Sequence, residues 1–120
     1  MILTDTSVWV RHLRQTDPLL VRLLDENLVL IHPFIIGELA CGNLKNRQEI
    51  LGHLETLPMA KMAEHPEVLA MLESQKLTGK GLGWVDVHLL AAASLSGAEL
   101  WTLDKGLHRA TEYLKINYRN

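Results

Sequence analysis

Met1-Ile2-Leu3-Thr4-Asp5-Thr6-Ser7-Val8-Trp9 is the stretch that decides the fold. Its opening run is continuously apolar rather than alternating, so Met1 to Thr4 reads as a short strand covered on both faces. An acid closes the run. Ser7 to Gln15 then reads as a helix with Val8, Trp9, Val10 and Leu13 apolar. The same order of short strand and longer helix recurs down the chain. Asp17-Pro18 starts a helix with an acid at the cap and proline at the first helical position. Leu28 to Ile31 is a second strand, and His32-Pro33 opens a helix that Gly42 is expected to end as a left-handed cap. Asn46 to Thr56 is an amphipathic helix, and Met59 to Ala63 reads as a short third strand. His65-Pro66 restarts a helix, and Thr78 to Gly83, with three glycines, is a loop. Trp84 to Leu95 is an alanine-rich helix stopped at Gly97, Glu99 to Leu103 a strand, Lys105 to Tyr113 a helix, and Lys115 to Tyr118 a last short strand. Such alternation predicts an α/β fold with a parallel sheet. In such sheets the site lies beyond the carboxyl ends of the strands.

The 120 residues suit one domain, 1–120, with a single core. Hydrophobic residues make up 48% and charged ones 22%, which excludes disorder. A net charge of -2 excludes a histone-like arm or a polybasic membrane tether. There is no basic segment followed by a long apolar one at the start, and no apolar run near the ~20 residues of a membrane span, so a cytoplasmic location is expected. The single cysteine, Cys41, lies among apolar neighbours and reads as a small buried hydrophobe.

Four acids stand inside apolar segments. Asp5 and Asp104 directly follow the strands 1–4 and 99–103, Asp86 lies in the first turn of the helix after the glycine loop, and Glu38 is flanked by Ile35, Ile36, Leu39 and Ala40. Taken singly, each has a second reading: Asp5 or Asp104 as a helix cap, Asp86 as a favourable charge at a helix N-terminus, Glu38 as a solvated helix residue. Taken together they lack partners, because no arginine or lysine sits in these segments at pairing distance. Two unit charges ~5 Å apart repel by about 3 kcal/mol at a dielectric near 20. Six such pairs would rival a whole domain's stability of about 5–15 kcal/mol. A divalent cation relieves this, and all-oxygen ligands suit Mg²⁺ or Mn²⁺. With such a cation an acidic pocket can draw in a phosphodiester. The hydroxyls of Thr6, Ser7 and Thr102 lie beside these acids in sequence and can orient a carboxylate or cap a helix.

Other chemistries fit less well. No histidine pair has the i,i+4 spacing with an intervening glutamate of a zinc protease, and Thr78-Gly79-Lys80-Gly81-Leu82-Gly83 does not open a helix as a phosphate-binding loop does. Asp5-Thr6-Ser7 lacks the second aspartate of an aspartyl-phosphate phosphatase. All six histidines read as structural or surface residues, and the tryptophans Trp9 and Trp84 as core rather than rim. Arg11, Arg14, Lys45, Arg47, Lys80, Lys105 and Arg109 are the candidate phosphate contacts.

The segments Leu3-Thr4-Asp5-Thr6-Ser7-Val8-Trp9, Ile36-Gly37-Glu38-Leu39, Gly83-Trp84-Val85-Asp86-Val87-His88-Leu89-Leu90-Ala91-Ala92-Ala93 and Leu100-Trp101-Thr102-Leu103-Asp104, in this order and spacing, resemble PIN-domain ribonucleases, specifically the VapC-type toxins of toxin–antitoxin pairs. The resemblance spans essentially the whole chain. It implies a three-layer α/β/α fold with a short central parallel sheet and a Mg²⁺- or Mn²⁺-dependent endoribonuclease. Asp5, Glu38, Asp86 and Asp104 match the four catalytic acids, with Asp5, Asp86 and Asp104 as metal ligands. The resemblance also implies an RNA substrate, a homodimer, and a small antitoxin whose tail enters the acidic groove. Leu107 departs from the aromatic residue that many relatives carry after the fourth acid. Two alternatives stay open: a PIN-like module that binds RNA or a partner without cutting, and a metal-dependent DNA nuclease.

Overall fold

Three short parallel strands, in the order β2-β1-β3, form the centre of the computed structural model, which describes residues 1–119. They are β1 (Ile2–Thr4), β2 (Val29–Leu30) and β3 (Glu99–Trp101). Seven helices connect and cover them: α1 (Thr6–Arg14), α2 (Pro18–Asp25), α3 (Pro33–Ala40), α4 (Arg47–Glu55), α5 (His65–Ser74), α6 (Trp84–Ser96) and α7 (Lys105–Tyr113). Ile2 and Leu3 of β1 pair with Val29 and Leu30 on one side. Ile2, Leu3 and Thr4 pair with Glu99, Leu100 and Trp101 on the other. The chain leaves β1 in one direction to reach β2 and crosses back over β1 to reach β3. Right-handed crossovers in opposite directions put helices on both faces, giving the three-layer α/β/α arrangement. β1 is therefore central, and the crevice at its carboxyl end, where strand order reverses, is where Asp5 and Asp104 emerge.

β1 and β2 are buried throughout, whereas in β3 only Leu100 is fully buried, Glu99 being exposed and Trp101 half-buried. Leu3, Leu100, Ile31, Ile35, Leu89, Leu90 and Leu107 are fully enclosed in one core. Ala63, Val68, Val87 and Ala91 make a small satellite that shares the bordering residues Met71, Leu72 and Leu82 with it. Leu107 fills its place in the core without an aromatic ring. Asp17 accepts hydrogen bonds from the Leu19 and Leu20 amides at the start of α2, and Gly97 ends α6 at φ +62°.

Four expected features differ. Met59–Ala63 and Lys115–Tyr118 are not strands. Each segment makes a single parallel bridge, Ile31 to Met59 and Leu100 to Asn117, because the sheet is only two or three residues deep where they pass. Gly42 keeps an ordinary backbone, since the Arg47 guanidinium donates to the carbonyls of Ala40 and Gly42 and satisfies the end of α3 without a left-handed residue. Cys41, expected to be buried, is exposed at that same helix end.

Truncating the core is expected to cost far more than truncating the surface. Leu100→Ala should lower stability by about 2–5 kcal/mol. Leu95→Ala, on the exposed face of α6, should stay within about 0.5 kcal/mol. Urea unfolding of both variants checks this.

Candidate active site

Asp5 leaves β1 with its amide donating to the Trp101 carbonyl (2.9 Å), so the strand ladder itself sets the backbone beneath the site. Its carboxylate does not cap α1. Instead Oδ2 accepts the hydroxyl protons of Ser7 (2.8 Å) and Thr102 (2.7 Å). Both hydroxyl oxygens are acceptors in turn: the Leu103 amide donates to Ser7 Oγ (3.0 Å) and the Asp104 amide to Thr102 Oγ1 (3.1 Å). Each hydroxyl has one proton, and each gives it to Asp5. The 3.4 Å approach between the two hydroxyls is therefore packing rather than a third bond. The network aims Asp5 from three sides while leaving Oδ1 without a partner among the described residues.

The other acids follow the same pattern of one oxygen tied and one free. Asp86 Oδ2 accepts from the Gly83 amide (2.9 Å) at the start of α6. Asp104 Oδ2 caps α7 by accepting from the Leu107 amide (2.8 Å). Glu38 Oε1 accepts the Thr6 hydroxyl (2.6 Å), so α1 and α3 are tied together beside Asp5. Thus Thr6 orients Glu38, whereas Ser7 and Thr102 orient Asp5. The capping reading holds for Asp104 and fails for Asp5.

Burial grades across the set. Asp5 is 7% exposed, Asp86 half-buried, and Asp104 and Glu38 are exposed. The expectation that all four are enclosed by apolar neighbours is corrected for these last two. Along α3, Ile35 and Leu39 face the core while Gly37 and Glu38 face solvent, so an apolar sequence neighbourhood is not an apolar surrounding. Burial raises the Asp86 pKa, and the charges of Asp5 and Asp104 raise it further against the lowering effect of the Gly83 amide. Asp86 thus feels both of the other aspartates, and none of the three has a cationic partner among the described residues. Among the described residues the ion pairs are Arg11–Asp17 (2.6 Å) and His108–Glu112 (3.6 Å), both elsewhere. No three carboxylate, imidazole or thiol groups among the described residues stand close enough to form a finished metal cage. The set is instead an open one, with free oxygens on repelling acids, and this donor chemistry fits a hard divalent cation that keeps part of its water shell.

Two histidines, His32 and His88, are buried. His32 is fully buried and caps α3, its Nδ1 accepting the Phe34 amide (2.9 Å). Burial, and then the neighbouring His88, push its pKa down to about 4. Rings run in contact from His32 through Phe34 and His88 to Trp84 and His65, at centroid spacings of 4.8–5.1 Å. Trp84, expected in the core, is 39% exposed at the end of this row. Of the candidate phosphate contacts, Arg11 is held by Asp17 and Arg47 by the end of α3. Two clefts hold four of the others. One, of about 710 Å³, has Arg14 and Lys45 beside Glu38. The second, of about 370 Å³, has Lys80 and Arg109 with Gly106 and Tyr113. Sequence reasoning missed this second grouping, although Gly106, Arg109, Ala110 and Tyr113 at i, i+3, i+4 and i+7 mark one helix face.

Residues 2–113 match the model of the PIN domain. The chain is 46% identical over 111 residues to Ribonuclease VapC32 of Mycobacterium tuberculosis, covering 92% of this chain and 90% of that protein. Among solved structures it is similar to FitAcB from Neisseria gonorrhoeae, with a TM-score of 0.63 and 25% identity over 93% of this chain and 94% of that one. PAE2754 from Pyrobaculum aerophilum shares the fold, with a TM-score of 0.60 and 17% identity over 96% of this chain and 88% of that one.

Two titrations follow. His32 resists protonation when folded, so between pH 6.5 and about 4 the unfolded chain binds a proton that the folded chain refuses. Stability should therefore fall with pH through that window, by up to about 3 kcal/mol. His32→Asn, which can still cap α3, should flatten that slope in urea titrations at several pH values. The raised pKa of Asp86 has the opposite sense: its charge opposes folding at neutral pH. Asp86→Asn should raise the urea midpoint of the metal-free chain at pH 7.

Proposed function

The chain belongs to the PIN-domain family, among the VapC-type ribonucleases, and we propose that it is the toxin of a toxin–antitoxin pair, a Mg²⁺- or Mn²⁺-dependent endoribonuclease acting in the cytoplasm. One observation carries the reading. Asp86 feels the charges of both Asp5 and Asp104, the three have no cationic partner among the described residues, and each keeps one carboxylate oxygen free. These three would hold the cation, and Glu38 would complete the acidic set from the α3 side. When bound, the cation supplies Lewis acidity to the phosphodiester and makes water a competent nucleophile at neutral pH.

The protein's own groups have distinct tasks in this reading. Ser7 and Thr102 fix Asp5, so that its free oxygen is aimed before any ligand arrives and little reorganisation remains. The Gly83 and Leu107 amides do the same for Asp86 and Asp104. Glu38, exposed and held by Thr6, would accept the proton of the attacking water in this reading. In-line attack on the RNA phosphodiester then leaves a 5′-phosphate and a 3′-hydroxyl. The family also implies a second copy of the chain and a small antitoxin as partners. No helix among the described residues is long and apolar enough to cross a membrane.

Purified chain, freed of any partner, should cut single-stranded RNA with Mg²⁺ and stop in EDTA. Asp5→Asn should cut no faster than background. Thr102→Val, which removes a supporting hydroxyl and keeps the shape, should lose about 10- to 100-fold. Cleavage that survives EDTA or Asp5→Asn would overturn the mechanism. RNA binding without any fragments would make the chain a binding module, and preference for matched DNA would make it a DNA nuclease.

A further inference from the structure

The cleft between the 78–83 loop and α7 is lined by Gly106, two residues after Asp104. A Cβ placed on Gly106, at its floor, would lie 3.4 Å from Asp104 Oδ2 and 3.9 Å from Arg109 Nη2. Gly106 and Ala110 are small and make the floor, while Arg109 and Tyr113, one turn apart on the same face, rise beside them. From Gly106 to Tyr113 the helix advances roughly 10 Å. The opposite wall is Lys80, carried between Gly79 (φ +72°) and Gly81 (φ +74°), two left-handed positions that suit glycine and turn the loop toward α7. Its ammonium sits 4.7 Å from the centre of the Tyr113 ring. Tyr113 is 53% exposed, an unusual setting for a large ring with a cation above it.

Charge separates this cleft from the rest of the basic surface. Arg11 and Arg47 are engaged by the protein's own acids and carbonyls. Lys80 and Arg109 have no carboxylate partner among the described residues, and no acid lines the cleft with them. Two cations without carboxylate partners and one exposed aromatic ring, beside the Asp104 end of the acidic set, form the groove-and-platform arrangement that suits a single strand. A lone anion would need the cations and not the ring.

We propose that the Lys80–Arg109–Tyr113 cleft is a subsite for single-stranded RNA, taking the nucleotide next to the scissile phosphate. The assignment rests on the ribonuclease reading for its place beside the cut. Arg109 holds the flanking phosphate, and the base stacks on Tyr113. In doing so the base displaces Lys80 from the ring and turns its ammonium to the same phosphate.

Anisotropy of a fluorescein-labelled hexauridylate, with the full chain in EDTA over a salt series, tests the binding, and cleavage kinetics in Mg²⁺ test the placement. Lys80→Gln with Arg109→Gln should weaken binding at least about 10-fold and reduce the salt slope by about 0.7 for each phosphate that is no longer neutralised. Tyr113→Ala should weaken it roughly 5- to 100-fold and Tyr113→Phe should restore it. In cleavage, the same variants should raise KM with kcat little changed. Arg22→Gln, exposed on α2, controls for net charge, and unchanged thermal midpoints control for folding. Variants with the parent Kd and KM, or losses matched by Arg22→Gln, overturn the subsite. Loss of affinity for labelled hexaglutamate with RNA binding intact overturns it in favour of a protein partner. A chain that binds through these residues but never cuts overturns the ribonuclease reading and leaves the subsite standing.

Discussion

Asp5 Oδ2 takes two hydroxyl protons, one from Ser7 in the first turn of α1 and one from Thr102 just past β3. That single atom joins Ser7 to Thr102, 95 positions apart, and the rest of the site is arranged around it. The bonds form only if β1 and β3 run parallel in the observed register, with the Asp5 amide on the Trp101 carbonyl. The amides of Leu103 and Asp104, received by the same two hydroxyls, then lead the chain into α7 with Asp104 as its cap. Sheet register, hydroxyl placement and the start of the last helix are therefore one constraint.

A penalty attaches to this arrangement. Asp86, half-buried and close to the charges of Asp5 and Asp104, opposes folding of the metal-free chain through desolvation and repulsion. The two exposed acids reduce the penalty, because water screens Asp104 and Glu38, so the repulsion expected of four enclosed charges is an overestimate. What remains is offset by an apolar core that fills both faces of the strands. The metal-free site is thus under electrostatic tension while its backbone is fully satisfied. A ligand that relieves the tension stabilises the fold by mass action.

The fold was legible where one physical signal acted alone. Met1 to Thr4 read as a strand because a continuous apolar run admits few other readings, Glu99 to Leu103 read as a strand that ends earlier, at Trp101, and Lys105 to Tyr113 read correctly to the residue because an acid cap and a changed polarity mark both ends. It was less legible where a distant residue intervened. Arg47 completes α3 and removes the need for a left-handed Gly42. The 59–63 and 115–118 segments have strand composition, but each meets the sheet at one bridge. For the candidate site, the four acids were visible through their sequence neighbours, yet burial follows helical phase. That is why Asp5 met the expectation of enclosure and Glu38 did not. Trp84 and Cys41 were misjudged for the same reason, since a local apolar window does not say which way a helix end faces.

The net charge of -2 now has a spatial meaning. Setting the four site acids aside from 14 leaves 10 acids against 12 bases. The surplus is not spread evenly around the site. Arg14 and Lys45 border the cleft on the Glu38 side, and Lys80 and Arg109 border the cleft on the Asp104 side. A polyanion approaching bare carboxylates is repelled, but one that reaches cations on both flanks is held across them. In the proposed function, the strand would be delivered to the acids by the protein's own surface, and a cation at the centre would need to neutralise only the phosphate that reacts. A chain of net negative charge can therefore handle a polyanion, provided that its acids are concentrated where they are used and its bases stand to either side.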